Sequence, residues 1–576
     1  MLTAYNSLCV SVFFAPLHFL LRCCFFWIAF SFPLLSVAEC LEGNRILFLL
    51  QSGQLDHAIE CYFEYADQLG RQDLQLVQRI GLAVLAEGSR SPDPEVQLLT
   101  LFGAAVSLNE EALRILEEGV RSPLPEIQVV SINALARLQD DRESSAFSRA
   151  LRSPSLVVRL ETLYHMAERK VPETVDHLEA LLCKIPPELL PIFPQFFAMV
   201  ASPAAIRKLR QFLMHPSEAV RLAAIISVAR HGCDELLPTI RSLAMQHSPS
   251  QQEACCHALG VLEDAYSLPR LEKLAGSSSP FVRLAALQAL HHLGWDNARI
   301  EIEAMAKECN LYAIASLGSI EGSEDLLAGL TTHKNQNVRI NAALALLERQ
   351  DIRCLKSLSD ILVTDVRDLA FIKTFSPSKC LHMYKTIPSA KDNPHASTSA
   401  MEESKELREG IIQKLICFPE GEFLRFSECL LETQQGDLIP IVVEEVETLQ
   451  TPAAVELLKK YQQKIGAPLI RQCCTLALYR LGETGSYAEQ LCKWVLLQQG
   501  KELIRFKPLG LSDKDPESRF AFQLTPQETS KLLIATFEAM ASRQEERGIH
   551  VLLEAIQKGN QKNKYALAGL LIRAAS

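Results

Sequence analysis

The sequence predicts an all-α chain, an α-solenoid of about ten stacked helix pairs wound as a right-handed superhelix. Three observations lead there: a phrase that returns every 31 residues, a column of small residues inside it, and a start signal before it. Aligned on an aliphatic residue followed by Arg or Gln, the phrase occurs at Val96-Gln97, Ile127-Gln128, Val158-Arg159, Val220-Arg221, Val282-Arg283, Val338-Arg339 and Ile470-Arg471, with Gln251-Gln252 as a polar variant. The steps 96 to 127 to 158 and 220 to 251 to 282 are each 31 residues, and 158 to 220 is 62, twice that period.

Four residues after the anchor every copy is small: Thr100, Ser131, Thr162, Ala224, Cys255, Ala286, Ala342 and Cys474. Eight residues after it every copy is apolar: Ala104, Leu135, Met166, Val228, Leu259, Leu290, Leu346 and Leu478. Offsets 0, 4, 7 and 8 share one face of a 3.6-residue helix, so one stripe lets a neighbouring helix approach and also fills the core. Ser91-Pro92, Ser122-Pro123, Ser153-Pro154, His215-Pro216, Ser248-Pro249 and Ser279-Pro280 precede the anchors. Serine can cap exposed N–H groups, and proline has no N–H to lose in a first turn. Glu95, Glu126 and Glu218 then fall where a helix start favours negative charge. Amphipathic runs between the phrases, such as Ala205 to Leu213 and Asn297 to Met305, are the expected first helices of each pair.

Two copies depart from the pattern. Near 189, prolines at 186, 187, 191 and 194 cannot sit in one regular helix, which predicts a bend or a degenerate unit. Near 309, a compressed copy keeps Ala313 and Leu317.

The phrase Ser-Pro-x-Val-Arg-Leu-Ala-Ala-Leu-x-Ala-Leu, carried by Ser279 to Leu290, resembles the short bacterial HEAT repeat, also called the PBS-lyase HEAT-like repeat, an armadillo-like helical unit. The resemblance covers residues 91 to 350 and returns at 468 to 482. It implies the fold and leaves the function open, because scaffolds, adaptors and a few enzymes share the repeat.

Around this array, residues 39–90 read as an N-terminal helical cap, with helices from Asn44, Leu55 and Leu74. The array spans 91–388, a low-complexity linker 389–401, and a second helical block with at least one further repeat 402–576. Within that block, Phe506 to Pro526 has little helical periodicity and reads as a long loop or hairpin. Residues 1–38 are nearly unbroken in apolar character from Leu8 to Val37, and Ser36 and Ala38 suit a cut after Ala38. The segment is read as a signal peptide of an exported protein, in the periplasm or cell envelope, or else as an uncleaved membrane anchor.

The 576 residues carry a net charge of -10 with no Lys/Arg-rich block, which speaks against nucleic acid as a partner. Seventeen cysteines are scattered without a CxxC pair. Cys255 and Cys474 fall in the small column, so they read as buried packing residues rather than disulfide or zinc ligands. No HExxH, phosphate-cradling glycine loop or GxSxG elbow is present, so no catalytic, metal or cofactor residue is expected. The recurring Arg159, Arg221, Arg283 and Arg339 form the one candidate set, either as a ligand-binding ridge or as an inter-repeat structural ladder. The function expected is a non-enzymatic scaffold or adaptor that binds a protein or peptide. The alternative, carried only by the resemblance, is a bilin-lyase-like enzyme or chaperone.

Overall fold

The structure, a computed structural model, describes residues 42–138, 143–246, 248–363, 372–374, 384–386, 407–504, 524 and 526–576. The expected leader or anchor, the linker and nearly all of the Phe506 to Pro526 loop lie outside the described residues. In chain order the first helices are α1 (42–51), α2 (Leu55–Leu69), α3 (Leu74–Ser89), α4 (Pro94–Ser107), α5 (Glu110–Gly119) and α6 (Pro125–Leu138). Then follow α7 (Glu143–Ala150), α8 (Leu156–Glu168), α9 (Thr174–Leu182), α10 (Phe193–Val200), α11 (Pro203–Leu213), α12 (Glu218–His231), α13 (Leu237–Leu243) and α14 (Pro249–Val261). The array continues with α15 (Leu268–Ala275), α16 (Pro280–His292), α17 (Asn297–Lys307), α18 (Leu311–Ser316), α19 (Glu324–Leu330), α20 (Gln336–Glu348) and α21 (Leu355–Val363). The later helices are α22 (407–415), α23 (Glu420–Thr433), α24 (Ile439–Thr448), α25 (Pro452–Gln462), α26 (Pro468–Arg480), α27 (Tyr487–Leu497), α28 (Pro526–Arg543), α29 (Glu546–Lys558) and α30 (Asn563–Ala574). A small antiparallel pair, β1 (Ile372–Thr374) with β2 (Tyr384–Thr386), aligns Ile372 with Thr386. No helix among the described residues is long and apolar enough to cross a membrane.

These elements form two compact units, one of Met1–Arg142, Glu489–Phe506 and Leu533–Ser576, the other of Glu143–Ala488 and Lys507–Leu532. The division runs across the expected segments, because the last helices join the first ones. In the first unit α30 packs on both α3 and α4, and α29 on α30. Glycines make that approach possible: a Cβ on Gly569 would stand 2.0 Å from the Gly103 carbonyl oxygen, and one on Gly103 would stand 2.2 Å from the Tyr565 carbonyl oxygen. Lys564 Nζ pairs with Glu87 at 2.8 Å, and Asn563 Nδ2 donates to the Lys501 carbonyl at 2.7 Å. An end left open by α3 and α4 would expose their apolar faces, and the C-terminal helix covers them.

In the second unit the second helices α8, α10, α12, α14 and α16 pack each on the next, with first helices such as α11, α13 and α15 laid against them. The small column is what brings them together: all eight of its residues are wholly buried. Where it holds threonine, the hydroxyl returns to the carbonyl one turn back, Thr100 to Val96 and Thr162 to Val158 at 2.7 Å, while Ser131 Oγ is buried without a hydrogen-bond partner among the described residues. From Leu284 to Leu290 every residue of α16 is buried, as befits a helix enclosed by neighbours rather than facing water on one side.

Both irregular copies have local causes. At 187–192 the prolines form a 3₁₀ turn, and the regular helix starts only at Phe193 with Pro194 in its first turn. The compressed copy is a six-residue α18 that tightens into a 3₁₀ turn over Leu317–Ser319.

The second helices also share an ending. Twelve residues after the anchor the backbone is left-handed at Leu108, Lys170, Gly232, Glu263, Gly294, Gln350 and Gly482. One residue later the N–H returns to the carbonyl of the apolar column: Cys233 to Val228 at 3.1 Å, Asp264 to Leu259 at 3.0 Å, Trp295 to Leu290 at 2.9 Å and Asp351 to Leu346 at 3.0 Å. This is a Schellman closure, which stops each helix and turns the chain toward the next repeat. Three of the seven are glycine, the residue that adopts this conformation without steric cost. We therefore expect Glu263→Gly, at an exposed site with φ of 51°, to stabilise the protein by about 0.5–1 kcal/mol, read as a raised denaturation midpoint.

Candidate binding edge of the repeat array

The first turns of the second helices define one edge of each repeat, and the arginine and glutamine column lies along it. Its side chains reach back six residues to a carbonyl of the turn that follows the preceding helix. Gln97 Nε2 donates to Ser91 O at 2.7 Å, Gln128 Nε2 to Ser122 O at 2.8 Å, Arg221 Nη1 to His215 O at 2.8 Å and Arg339 Nη1 to His333 O at 2.9 Å. Each bond satisfies a carbonyl of the turn between the two helices of a repeat and so fixes that turn. Arg221 adds a link to the next repeat, Nε donating to Gln251 Oε1 at 2.8 Å. Arg283 instead meets Glu301 at 3.8 Å, and Arg159 keeps its Nε buried without a hydrogen-bond partner. Among the described residues no bond joins any of these four arginines to another.

Exposed apolar residues sit beside this column, one position before the anchor. Val157 is 63% exposed and Phe281 is 45% exposed. Phe281, in the first turn of α16, meets Tyr312, in the first turn of α18, edge to face with ring centroids 5.1 Å apart. An aromatic pair with one ring open to solvent is a feature that protein interfaces favour at their centres. Sequence reasoning passed over this pair, because Phe281 occupies the variable place of the repeat phrase and Tyr312 lies in the compressed copy. The signal was an aromatic residue where polar side chains would cost nothing.

A second set also escaped the sequence reading. In two repeats the acid thirteen residues after the anchor takes a cation from the preceding first helix: Arg241 grips Asp264 through Nε at 2.7 Å and Nη2 at 2.5 Å, and Lys459 Nζ meets Glu483 at 2.6 Å. Ser267 Oγ donates to Asp264 as well, at 2.5 Å. Burial raises the pKa of Asp264, but the hydrogen bonds from Arg241 and Ser267 outweigh it, so the carboxyl titrates below its ordinary range.

The cysteines of the packing columns are buried thiols. Burial pushes Cys473 up to about 12, and it also raises Cys255, Cys256 and Cys474. His165 lies against the Phe147 ring and near Glu161 and Glu168, while the rings of His291 and His292 stand with centroids 6.4 Å apart. Among the described residues, no group of three or more His, Cys, Asp or Glu side chains is placed to hold a metal ion.

A family profile of HEAT repeats matches residues 206–291, the stretch from α11 to α16 where the columns are most regular. The chain carries HEAT repeats. Among solved structures, this HEAT-repeat protein is similar to the complex of CpcE and CpcF of phycocyanin lyase from Nostoc sp. PCC7120, at 19% identity over 37% of this chain and 91% of that one, with a TM-score of 0.27. It is also similar to a Kap121p mutant, at 11% identity over 90% of this chain and 74% of that one, with a TM-score of 0.31. Kap121p bound to the extreme C-terminus of the protein phosphatase Cdc14p matches at 11% identity, over 89% of this chain and 63% of that one, with a TM-score of 0.31. No curated protein matches the chain.

Because the folded-state pKa of Asp264 is depressed, its contribution to stability is present above the unfolded value and is lost as pH falls through the folded one. Asp264→Asn is expected to cost about 2 kcal/mol at pH 7, with the gap from wild type narrowing below about pH 4 in urea melts.

Proposed function

We propose that this HEAT-repeat protein is a binding scaffold or adaptor that holds a protein or peptide on the surface of its repeat array and performs no chemistry itself. The observation that carries this reading is the Phe281–Tyr312 pair at the repeat edge, in which Phe281 is exposed and Tyr312 half-buried. Water gains nothing from an ordered aromatic pair on a surface, whereas a partner that covers it buries a large apolar area. The second helices behind the pair are enclosed on nearly all sides, so the edge is presented by a rigid support rather than by a loop. The apolar run from Leu8 to Val37 supports export, or alternatively tethering to a membrane, as the setting in which the scaffold works.

The test is the double variant Phe281→Ala with Tyr312→Ala, purified from native cells beside the wild type and analysed by native mass spectrometry. Wild type is expected to retain a polypeptide at fixed stoichiometry. The double variant, whose stability falls by no more than about 1 kcal/mol because Phe281 is already half in water, should lose at least about tenfold of it. Equal retention by both proteins would move the binding surface elsewhere, and a bound small chromophore in place of a polypeptide would sink the scaffold reading.

A further inference from the structure

At the end of the described array a cleft of about 210 Å³ opens between the first turn of α20, the helix α21 and the turn that follows α19. Its floor is apolar, made by Ile340 and Ile361, each buried to 3% exposure. Its walls carry Arg339, Lys356, Thr331 and Ser357.

The bonding of Arg339 differs from that of its counterpart Arg221 in one respect. In both, Nη1 is spent on two backbone carbonyls, His215 and Pro216 for Arg221, His333 and Lys334 for Arg339 at 2.9 and 3.1 Å. In Arg221 the Nε then binds Gln251 of the next repeat. In Arg339 the Nε and Nη2 edge has no hydrogen-bond partner among the described residues, while two carbonyls hold the guanidinium in place at the cleft. A guanidinium edge so fixed presents two parallel N–H donors, the geometry that matches a carboxylate. Lys356 lies on the opposite wall and likewise has no ion pair among the described residues. Arg353, also at the cleft, is occupied, with Nε and Nη2 on Asp351 and Nη1 on Asp325 at 2.7 Å.

We propose that this cleft binds the carboxylate of an acidic peptide side chain, with Arg339 as its bidentate partner and Lys356 as the second cation. The inference rests on the protein-binding reading and names a chemistry for the partner: an extended segment bearing glutamate. The charge balance favours one negative charge over two. Asp360 at the cleft offsets one of the two available cations, so a single carboxylate is neutralised and a phosphate dianion would not be. The apolar floor suits the methylenes of a glutamate side chain, and the space equals that of roughly seven water molecules.

The experiment is isothermal titration of the full chain with an N-acetylated, C-amidated hexapeptide in which two adjacent glutamates are flanked by leucines. Its twin, with both glutamates replaced by glutamine, is the control. The acidic peptide is expected to bind at least about tenfold more tightly than the twin, and to weaken with added salt. Lys356→Gln and Arg339→Gln should each remove most of that preference and leave the twin unaffected. Arg339→Gln is the safe variant for the fold, because Gln97 and Gln128 make the same bond to the carbonyl six residues back. Equal binding of the two peptides, no binding of the acidic one at about 1 mM, variants without effect, or displacement by inorganic phosphate in preference to the peptide would each overturn the assignment. If the peptide fails while the Phe281 and Tyr312 double variant still releases the native partner, the cleft is wrong and the scaffold stands. If both fail, neither surface holds the partner, and only a wild type that retains no polypeptide sinks the scaffold.

Discussion

Close approach between second helices is the constraint on which the rest of the second unit depends. A 31-residue repeat leaves room for two short helices and two tight turns, and neither helix alone can bury enough apolar surface to be stable. Enclosing one of them solves this, and enclosure requires small side chains where neighbouring backbones meet. The wholly buried column of Thr100, Ser131, Thr162, Ala224, Cys255, Ala286, Ala342 and Cys474 meets that requirement, and the apolar column one turn on fills the space it creates. Gly260 shows how tight the contact is: a Cβ there would stand 2.8 Å from Ala289 Cα.

The polar groups then follow from the packing. An enclosed helix cannot leave its end carbonyls to water, so each repeat closes them from its own side chains and turns. The glutamine or arginine of the first turn takes the carbonyl six residues back, and the left-handed residue at the far end returns the next N–H to the apolar column. The paired acid and cation, Asp264 with Arg241 and Glu483 with Lys459, tie a second helix to the first helix before it. Among the described residues this framework leaves unused the aromatic pair at the edge and the Nε and Nη2 edge of Arg339, the two features on which the proposed binding rests.

The repeats were legible in the sequence because their signals are periodic. Ser279 to Leu290 states in one phrase the cap, the anchor, the small column and the apolar column, and the helix Pro280–His292 follows it. The role of the arginines was legible only as a pair of alternatives, since a side chain that binds its own turn and one that awaits a ligand have the same residue type. Arg221 and Arg339 both bind their own turn, and they differ in that Arg221 also bonds Gln251 of the next repeat. The helix endings were half visible: Gly232, Gly294 and Gly482 mark them, but Leu108, Lys170, Glu263 and Gln350 adopt the same left-handed backbone without the glycine that announces it. The partnership of α30 with α3 and α4 was not visible, because contacts across more than 450 residues leave no local pattern. Its trace is glycine inside helices, at Gly81, Gly88, Gly103 and Gly569, where helix propensity argues against it.

Hydrogen exchange followed by mass spectrometry tests the enclosed-helix account most directly. The amides of α12, α14 and α16 should exchange most slowly in the second unit, with those of α11, α13 and α15 clearly faster, because the first helices keep one face in water and open more cheaply. Equal protection of both sets, or slower exchange in the first helices, would contradict the claim that the small column and the second helices it joins are the core of this array.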